Sequence, residues 1–244
     1  MRGIGTICNV LAVIVGSGIG LMLKNGLSAR LQSILTQGAS LAIIFIGISG
    51  AVSGMLSVSD GTFGTHGTTM LVLSLIIGGL IGEGFNIEQK MNMFGEKLRQ
   101  SFSAKSDSGF TDGFVTASLF VCTGAMAVVG SINDGLTGNY AMLLAKSLLD
   151  MIVVMVFAST MGLGVMFAAI PMGIYQGVIT LSAVALYPFM SDALVTNIGF
   201  VGSVLIFAVG VNMLRPKTFR AGNLLPALLV PVAYEIGTRL FGAA

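Results

Sequence analysis

Eight apolar runs, each close to the length of a bilayer crossing and nearly free of charge, dominate this 244-residue chain. They cover about residues 5–23, 38–58, 68–86, 113–132, 147–169, 171–189, 197–214 and 222–241. A helix needs about 20 apolar residues to cross the hydrocarbon core, where backbone polar groups must find their partners inside the protein. Only 9% of the residues are charged, against about 25% in a soluble domain. So few charges cannot clothe a globule, which excludes an ordinary soluble fold. The pattern predicts an all-α polytopic membrane bundle of about eight transmembrane helices, forming one integral membrane domain over residues 1–244. The fifth and sixth runs are almost continuous. Pro171 with Gly173 marks the expected break between them, and treating that point as a kink leaves seven spans.

Basic side chains check the count, because Lys and Arg accumulate on cytoplasmic loops. The first connection holds Lys24 and Arg30, the third Lys90, Lys97, Arg99 and Lys105, and the seventh Arg215, Lys217 and Arg220. These are nine of the twelve Lys and Arg residues, so the basic connections are the first, third and seventh. The opposite side keeps Arg2, Lys146 and Arg239, with Asp60, Asp134 and Asp192 in its loops. Eight spans with both termini outside satisfy this asymmetry, whereas seven would split the third and seventh connections between faces. The first run is nearly full membrane length and no clear small-residue cleavage site follows it, so the chain is expected to be mature from Met1.

The third connection, residues 86–108, has its own pattern. Ile87, Met91, Phe94, Leu98 and Phe102 recur at steps of three and four, with Glu88, Lys90, Glu96, Lys97 and Arg99 mostly elsewhere on the wheel. That predicts a cytoplasmic amphipathic helix at the bilayer surface. A shorter version is expected after the first run, where Leu27, Leu31, Ile34 and Leu35 alternate with Ser28, Arg30 and Gln32.

Glycine supplies 34 residues, about twice the usual share. Four Gly-x-x-x-Gly spacings, Gly16 with Gly20, Gly50 with Gly54, Gly78 with Gly82 and Gly173 with Gly177, remove bulk from one helix face and permit close approach. They serve packing within the chain or contact with a second copy in a homo-oligomer. At an offset of 62 residues, Leu11, Gly16 and Gly20 match Leu73, Gly78 and Gly82, which suggests a repeated two-helix hairpin.

Polar residues at membrane depth are the functional candidates, since burying them unpaired is costly. A path for an ion or solute is expected to draw on Asn9, Thr123, Asn133, Asp134, Lys146, Asp150, Gln176, Asn212 and Asn223. Lys146 and Asp150 share a helical face and can neutralise each other. Asn133 and Asp134 read equally as a capped outer turn before Gly135 and Gly138. Pro226 and Pro231 are expected to interrupt the last span.

No enzyme, metal or cofactor pattern emerges. His66, the one histidine, has only Asp60 nearby in sequence, Cys8 and Cys122 lie in apolar runs as packing residues, and Gly16–Gly20 lacks the lysine of a phosphate loop. A net charge of +2 from scattered residues does not suggest nucleic acid. The expected partner is the lipid bilayer.

Asn9 with Gly16–Gly20, Gly124–Gly135, Lys146–Asp150, Tyr175-Gln176-Gly177 and Asn223–Leu228 together resemble the YqgA/YdfK-type family of bacterial inner-membrane proteins. The resemblance runs along the whole chain. It implies a multi-pass protein of the bacterial inner membrane, in a family labelled as of unknown function and sometimes as transporters, and it implies no substrate or catalytic residue. Two readings follow. One is a channel or transporter for an ion, a cation being favoured by Asp134 and Asp150, or for a small polar solute. The alternative is a non-transporting scaffold or sensor acting through the amphipathic segment.

Overall fold

The computed structural model describes residues 2–24, 26–59, 62–102, 109–215 and 217–241. Asp60, Lys105 and the end of the amphipathic segment, residues 103–108, lie outside them, as does the side chain of Arg239. The chain is an all-α membrane bundle. Helix α1 (Ile4–Lys24) is followed by α2 (Ala29–Met55), a two-stranded antiparallel hairpin of β1 (Leu56–Ser59) and β2 (Thr62–Thr65), α3 (Thr68–Phe85) and α4 (Ile87–Ser101). Then come α5 (Phe110–Cys122), α6 (Ala125–Thr137), α7 (Ala141–Met161), a 3₁₀ segment Leu163–Ala168, α8 (Ala169–Leu181) and the short α9 (Ala183–Leu186). After a further 3₁₀ turn, α10 (Asp192–Leu214), a 3₁₀ segment Leu225–Leu228 and α11 (Leu229–Phe241) complete the fold.

Among the described residues, six helical segments are long and apolar enough to cross a membrane: α1, α2, α3, α7, Leu163–Leu181 and α10. Helices α5 and α6 pass the same test only together, bent by 62° at their junction. Their contacts decide between a broken span and a re-entrant loop. Gly109, just before α5, packs on the carbonyl of Met161 at the end of α7, whereas Gly130 of α6 packs on Leu143 at the start of α7. The pair therefore runs from one end of α7 to the other and is a single broken span. The eighth apolar run is a shorter helical stretch, Leu225–Thr238, which follows α3 in reverse: Asn223 meets Gly82 and Ala227 meets Gly78.

The predicted boundaries need correction at three places. The fifth and sixth spans part at Gly162, not at Pro171. Gly162 has φ +94° and ψ −158°, a conformation closed to residues with a Cβ. Pro171 instead sits in the first turn of α8, where its missing N–H would have had no helical partner. The surface helix expected after the first run is the beginning of α2, whose start is capped by the Ser28 hydroxyl accepting from Leu31 N–H. The prolines of the last span do not interrupt a ladder either, because Pro226 stands at the start of a 3₁₀ segment and Pro231 in the first turn of α11.

Close glycine contacts assemble the bundle. A Cβ at Gly16 or Gly20 would strike the Met151 or Met155 carbonyl of α7, and with Gly5 against Leu143 this makes α1 and α7 a parallel pair. Gly47, Gly50 and Gly54 of α2 lie against Phe207, Ser203 and Phe200 of α10, an antiparallel pair. Gly173 touches Val10, but nothing lies within 4 Å of a Cβ at Gly177. Three of the four Gly-x-x-x-Gly pairs are thus occupied at both positions by packing within the chain, and the fourth at Gly173 alone. Gly78 meets the 3₁₀ segment Leu225–Leu228 and Gly82 the turn before it, while Gly16 and Gly20 meet a continuous helix, so the matched glycines of the suggested repeat have different surroundings. The core beneath these seams is Val13, Ile43, Val121, Val154, Phe157 and Met172 with their neighbours.

All three basic connections lie at one end of the bundle. Gly20 meets Ala158 near the end of α7, α5 starts beside Met161, and Gly222 packs on Glu88 of α4. At this basic end part of the apolar side of α4 packs on the bundle, while Met93 and Phe94 stay half-exposed: the Phe94 and Phe114 rings are 5.7 Å apart, Gly95 is buried against Phe114, and Met91 packs against Leu119, Ala208 and Val209. Lys90 stands over the Phe85 ring, 5.7 Å from its centroid. Hydrogen bonds from Arg99 and then Gln100 hold the Glu96 carboxyl below the usual carboxylate range.

Candidate functional site at the broken span

The break between α5 and α6 falls at Thr123 and Gly124. Gly124 has φ +120°, which only glycine adopts readily. The Thr123 hydroxyl donates to the Leu119 carbonyl and its N–H to the Phe120 carbonyl, 3.4 Å away. That leaves the Val121 carbonyl at the negative end of α5, and the Lys146 ammonium donates to it over 3.0 Å. Lys146 also forms an ion pair with Asp150 on the next turn of α7. Both residues are buried, with 5% and 3% of their surface exposed. A lone charge here would be prohibitive, so the pair persists because each partner and the half-helix end satisfy the other. Cys122 follows Val121 at the same helix end.

The Asn9 amide of α1 faces the Asp150 carboxylate and has no closer partner among the described residues. Gln176 of α8 is fully buried, with both amide atoms unpaired. The hydroxyl of Ser131 on α6 is another buried, unpaired group. Each such group costs about 1–3 kcal/mol when it has no partner. Ser17 and Ser74 are also unpaired.

One turn nearer the end opposite the basic connections, a different layer is fully bonded. The Thr6 and Thr180 hydroxyls are 3.3 Å apart. Asp134, completely buried, accepts from Gly3 N–H at 3.1 Å and Gly5 N–H at 2.9 Å. It is therefore the N-terminal cap of α1, supplied from another span. Asp134→Ala is expected to destabilise the protein by about 1–2 kcal/mol, measured by melting in detergent; an unchanged melting point would refute the capping role.

The predicted path residues thus divide. Asn9, Thr123, Lys146, Asp150 and Gln176 gather in the bundle interior around the break. Asp134 serves α1, and Asn133 is half-buried beside it. Asn212 and Asn223 belong to the basic end. The Asn212 amide bonds both the Phe219 carbonyl and the Phe219 N–H, each at 2.8 Å, closing the loop after α10. Asn223 donates to Glu83 at 2.7 Å and accepts from Glu88 N–H at 2.7 Å, while Glu88 accepts from Gly222 N–H. Arg220 pairs with Glu83, whose carboxylate raises the guanidinium's pKa further. These contacts tie α3, α4 and the last span together. The residues that sequence reasoning did not single out are Ser131, Thr6 and Thr180. The available signal for Ser131 was its place one helical turn before Asp134 and Gly135.

Two cavities approach the gathered residues. One of about 350 Å³ opens at the end opposite the basic connections, lined by Arg2, Thr6, Gly135, Gly177 and Thr180 among others. The other, about 500 Å³, opens at the basic end and climbs α5 from Gly109 through Asp112 and Thr116 to Leu119. Apart from both, an apolar groove of about 750 Å³ runs between α3, α10 and α11.

The profile of the family described as "Protein of unknown function (DUF554)" matches residues 4–236. This chain belongs to that family. It is similar to the uncharacterized membrane protein YdfK of Bacillus subtilis (strain 168), with 34% identity over 238 residues covering 98% of each chain. It is also similar to the uncharacterized protein YqgA of Escherichia coli (strain K12), with 29% identity over 231 residues, 93% of this chain and 94% of the relative. No solved structure matches. Family membership and the apolar helices together make this a membrane protein, and the family brings no assigned chemistry to the broken span.

Proposed function

We propose that the protein carries a small polar solute across the bacterial cytoplasmic membrane, with its basic end in the cytoplasm and both termini outside. The observation that carries this reading is the polar centre at the broken span, set between two cavities that approach from opposite ends. A bundle built for packing alone gains nothing from buried groups without partners, and in lipid their cost has no offset within the chain. Broken helices at membrane depth, with backbone carbonyls turned inward, are a recurrent means of building a binding site inside a transporter. The process is one of binding and passage, without covalent chemistry. A cation was favoured on the strength of Asp134 and Asp150, but the first caps α1 and the second is paired with Lys146, so neither offers a free carboxylate.

Purified protein in liposomes is expected to raise the flux of at least one small polar solute above protein-free vesicles, and Asp150→Asn to remove the gain. No flux for a panel of cations, anions and uncharged polar solutes would refute the proposal. Orientation has its own test: Ser191→Cys should react with an impermeant thiol reagent on intact cells, and Lys97→Cys should not.

The scaffold reading has less support, because Met91 and Gly95 of α4 pack on the bundle itself and the α4 surface offers no buried polar side chain without a partner comparable to Gln176. Neutralising Lys90, Lys97, Arg99 and Lys105 together is expected to leave solute flux unchanged.

A further inference from the structure

Asn9, Ser131 and Gln176 lie at about one level. Helices α1 and α8 are antiparallel, fixed by the Thr6–Thr180 contact at one point and the Gly173–Val10 contact at another. Asn9 and Gln176 occupy the stretch between those points, each about one turn in from its threonine. Helix α6 runs parallel to α8 and touches it where Gly135 meets the Thr180 carbonyl. One turn back along both helices places Ser131 level with Gln176. Three helices thus bring two buried carboxamides and a buried hydroxyl to one layer, Gln176 and Ser131 without a partner and Asn9 with only the Asp150 carboxylate facing it.

We infer that Asn9, Ser131 and Gln176 form the recognition site of the transported solute, and that this solute is a small uncharged molecule carrying both hydrogen-bond donors and acceptors. The inference rests on the transport reading above and adds the substrate class. Each carboxamide offers an acceptor oxygen and a two-hydrogen donor, and the serine hydroxyl serves either way. A molecule bearing both kinds of group, such as a small amide or polyol, satisfies them all. A net charge would not be matched. Lys146 is neutralised by Asp150 and the Val121 carbonyl, and Asp134 by two backbone N–H groups. An ion entering this layer would lose its hydration without meeting a free counter-charge.

Access and size agree with this. The 350 Å³ cavity at the outer end has the Thr6 and Thr180 hydroxyls in its wall, one turn above this layer. At about 30 Å³ for each water it holds roughly a dozen water-sized groups, which suits a solute of a few carbons. Gly177, where a side chain would meet nothing within 4 Å, belongs to the same wall and keeps it wide.

The test uses the full chain in liposomes, with swelling followed by light scattering under gradients of urea, acetamide and glycerol, and with sodium, potassium and acetate as charged comparisons. An uncharged solute is expected to permeate, and Gln176→Leu and Asn9→Leu each to lower that flux by about ten- to hundredfold, as expected for losing one or two solute hydrogen bonds. Because leucine at position 176 relieves an unpaired buried amide, Gln176→Leu is expected to melt about 2–4 °C higher than the parent. Flux of ions alone would overturn the inference and leave transport standing. Uncharged flux that survives both substitutions would also overturn it, as would a Gln176→Leu variant that melts lower than the parent while transporting normally, since the amide would then be structural. Absence of all flux would remove the transport reading, and this inference with it.

Discussion

Asp150→Ala is expected to lower stability by about 3–5 kcal/mol, because it strands the buried Lys146 ammonium on the Val121 carbonyl without its counter-charge. For a chain of this size that corresponds to a fall of about 10 °C or more in the melting of detergent-solubilised protein. Lys146→Met should cost a similar amount by leaving the carboxylate alone. Combining Lys146→Met with Asp150→Leu removes both charges together, and is expected to restore most of the lost stability, because apolar residues of similar volume can replace a buried ion pair at little net cost. Solute flux should nonetheless stay lost in the double variant. Additive single effects in this cycle would show that the two side chains are not coupled and would sink the account of the centre given above.

The second large effect concerns space. Gly20→Ala places a methyl group against the Met155 carbonyl of α7, and Gly82→Ala does the same against the Asn223 carbonyl. Both neighbours are backbone and cannot turn aside. Each substitution is expected to cost about 3 kcal/mol through separation of the two segments, seen as lower yield of folded protein and a lower melting temperature. Gly177→Ala supplies the contrast. It adds the same methyl group to an open site in the interior of α8, and should stabilise the helix by up to about 1 kcal/mol. Equal damage from all three would mean that the close seams are not what holds the bundle together.

Architecture was more legible in the amino-acid sequence than the site, and for physical reasons. Uncharged runs report directly on lipid burial, and the clusters at Lys24 and Arg30, Lys90 to Arg99, and Arg215 to Arg220 report on the shared end of the bundle, because both signals survive averaging over many residues. Breaks depend on single backbone conformations. Pro171 was the conspicuous breaker, yet a proline in a first helical turn is at ease, while the actual break needed a left-handed glycine that looks like any other of the 34. Likewise, Asn9, Asn212 and Asn223 are equally polar as letters. Only the neighbours separate an amide that closes its own loop, as Asn212 does with Phe219, from one that faces a buried carboxylate in the bundle interior, as Asn9 does. The roles of Thr6 and Thr180 were hidden for the same reason: 174 residues separate two hydroxyls that touch.

The N-terminal cap of α1 also has a consequence for biosynthesis. Helix α1 receives the carboxylate that completes its first turn from a residue made about 130 positions later, and its main packing partner, α7, follows that. Until Asp134 and α7 have entered the membrane, α1 is a span with an open end and an unfilled glycine groove. Assembly must therefore hold α1 in waiting while the middle of the chain is inserted, a non-local closure of the kind that slows folding and leaves incomplete chains exposed.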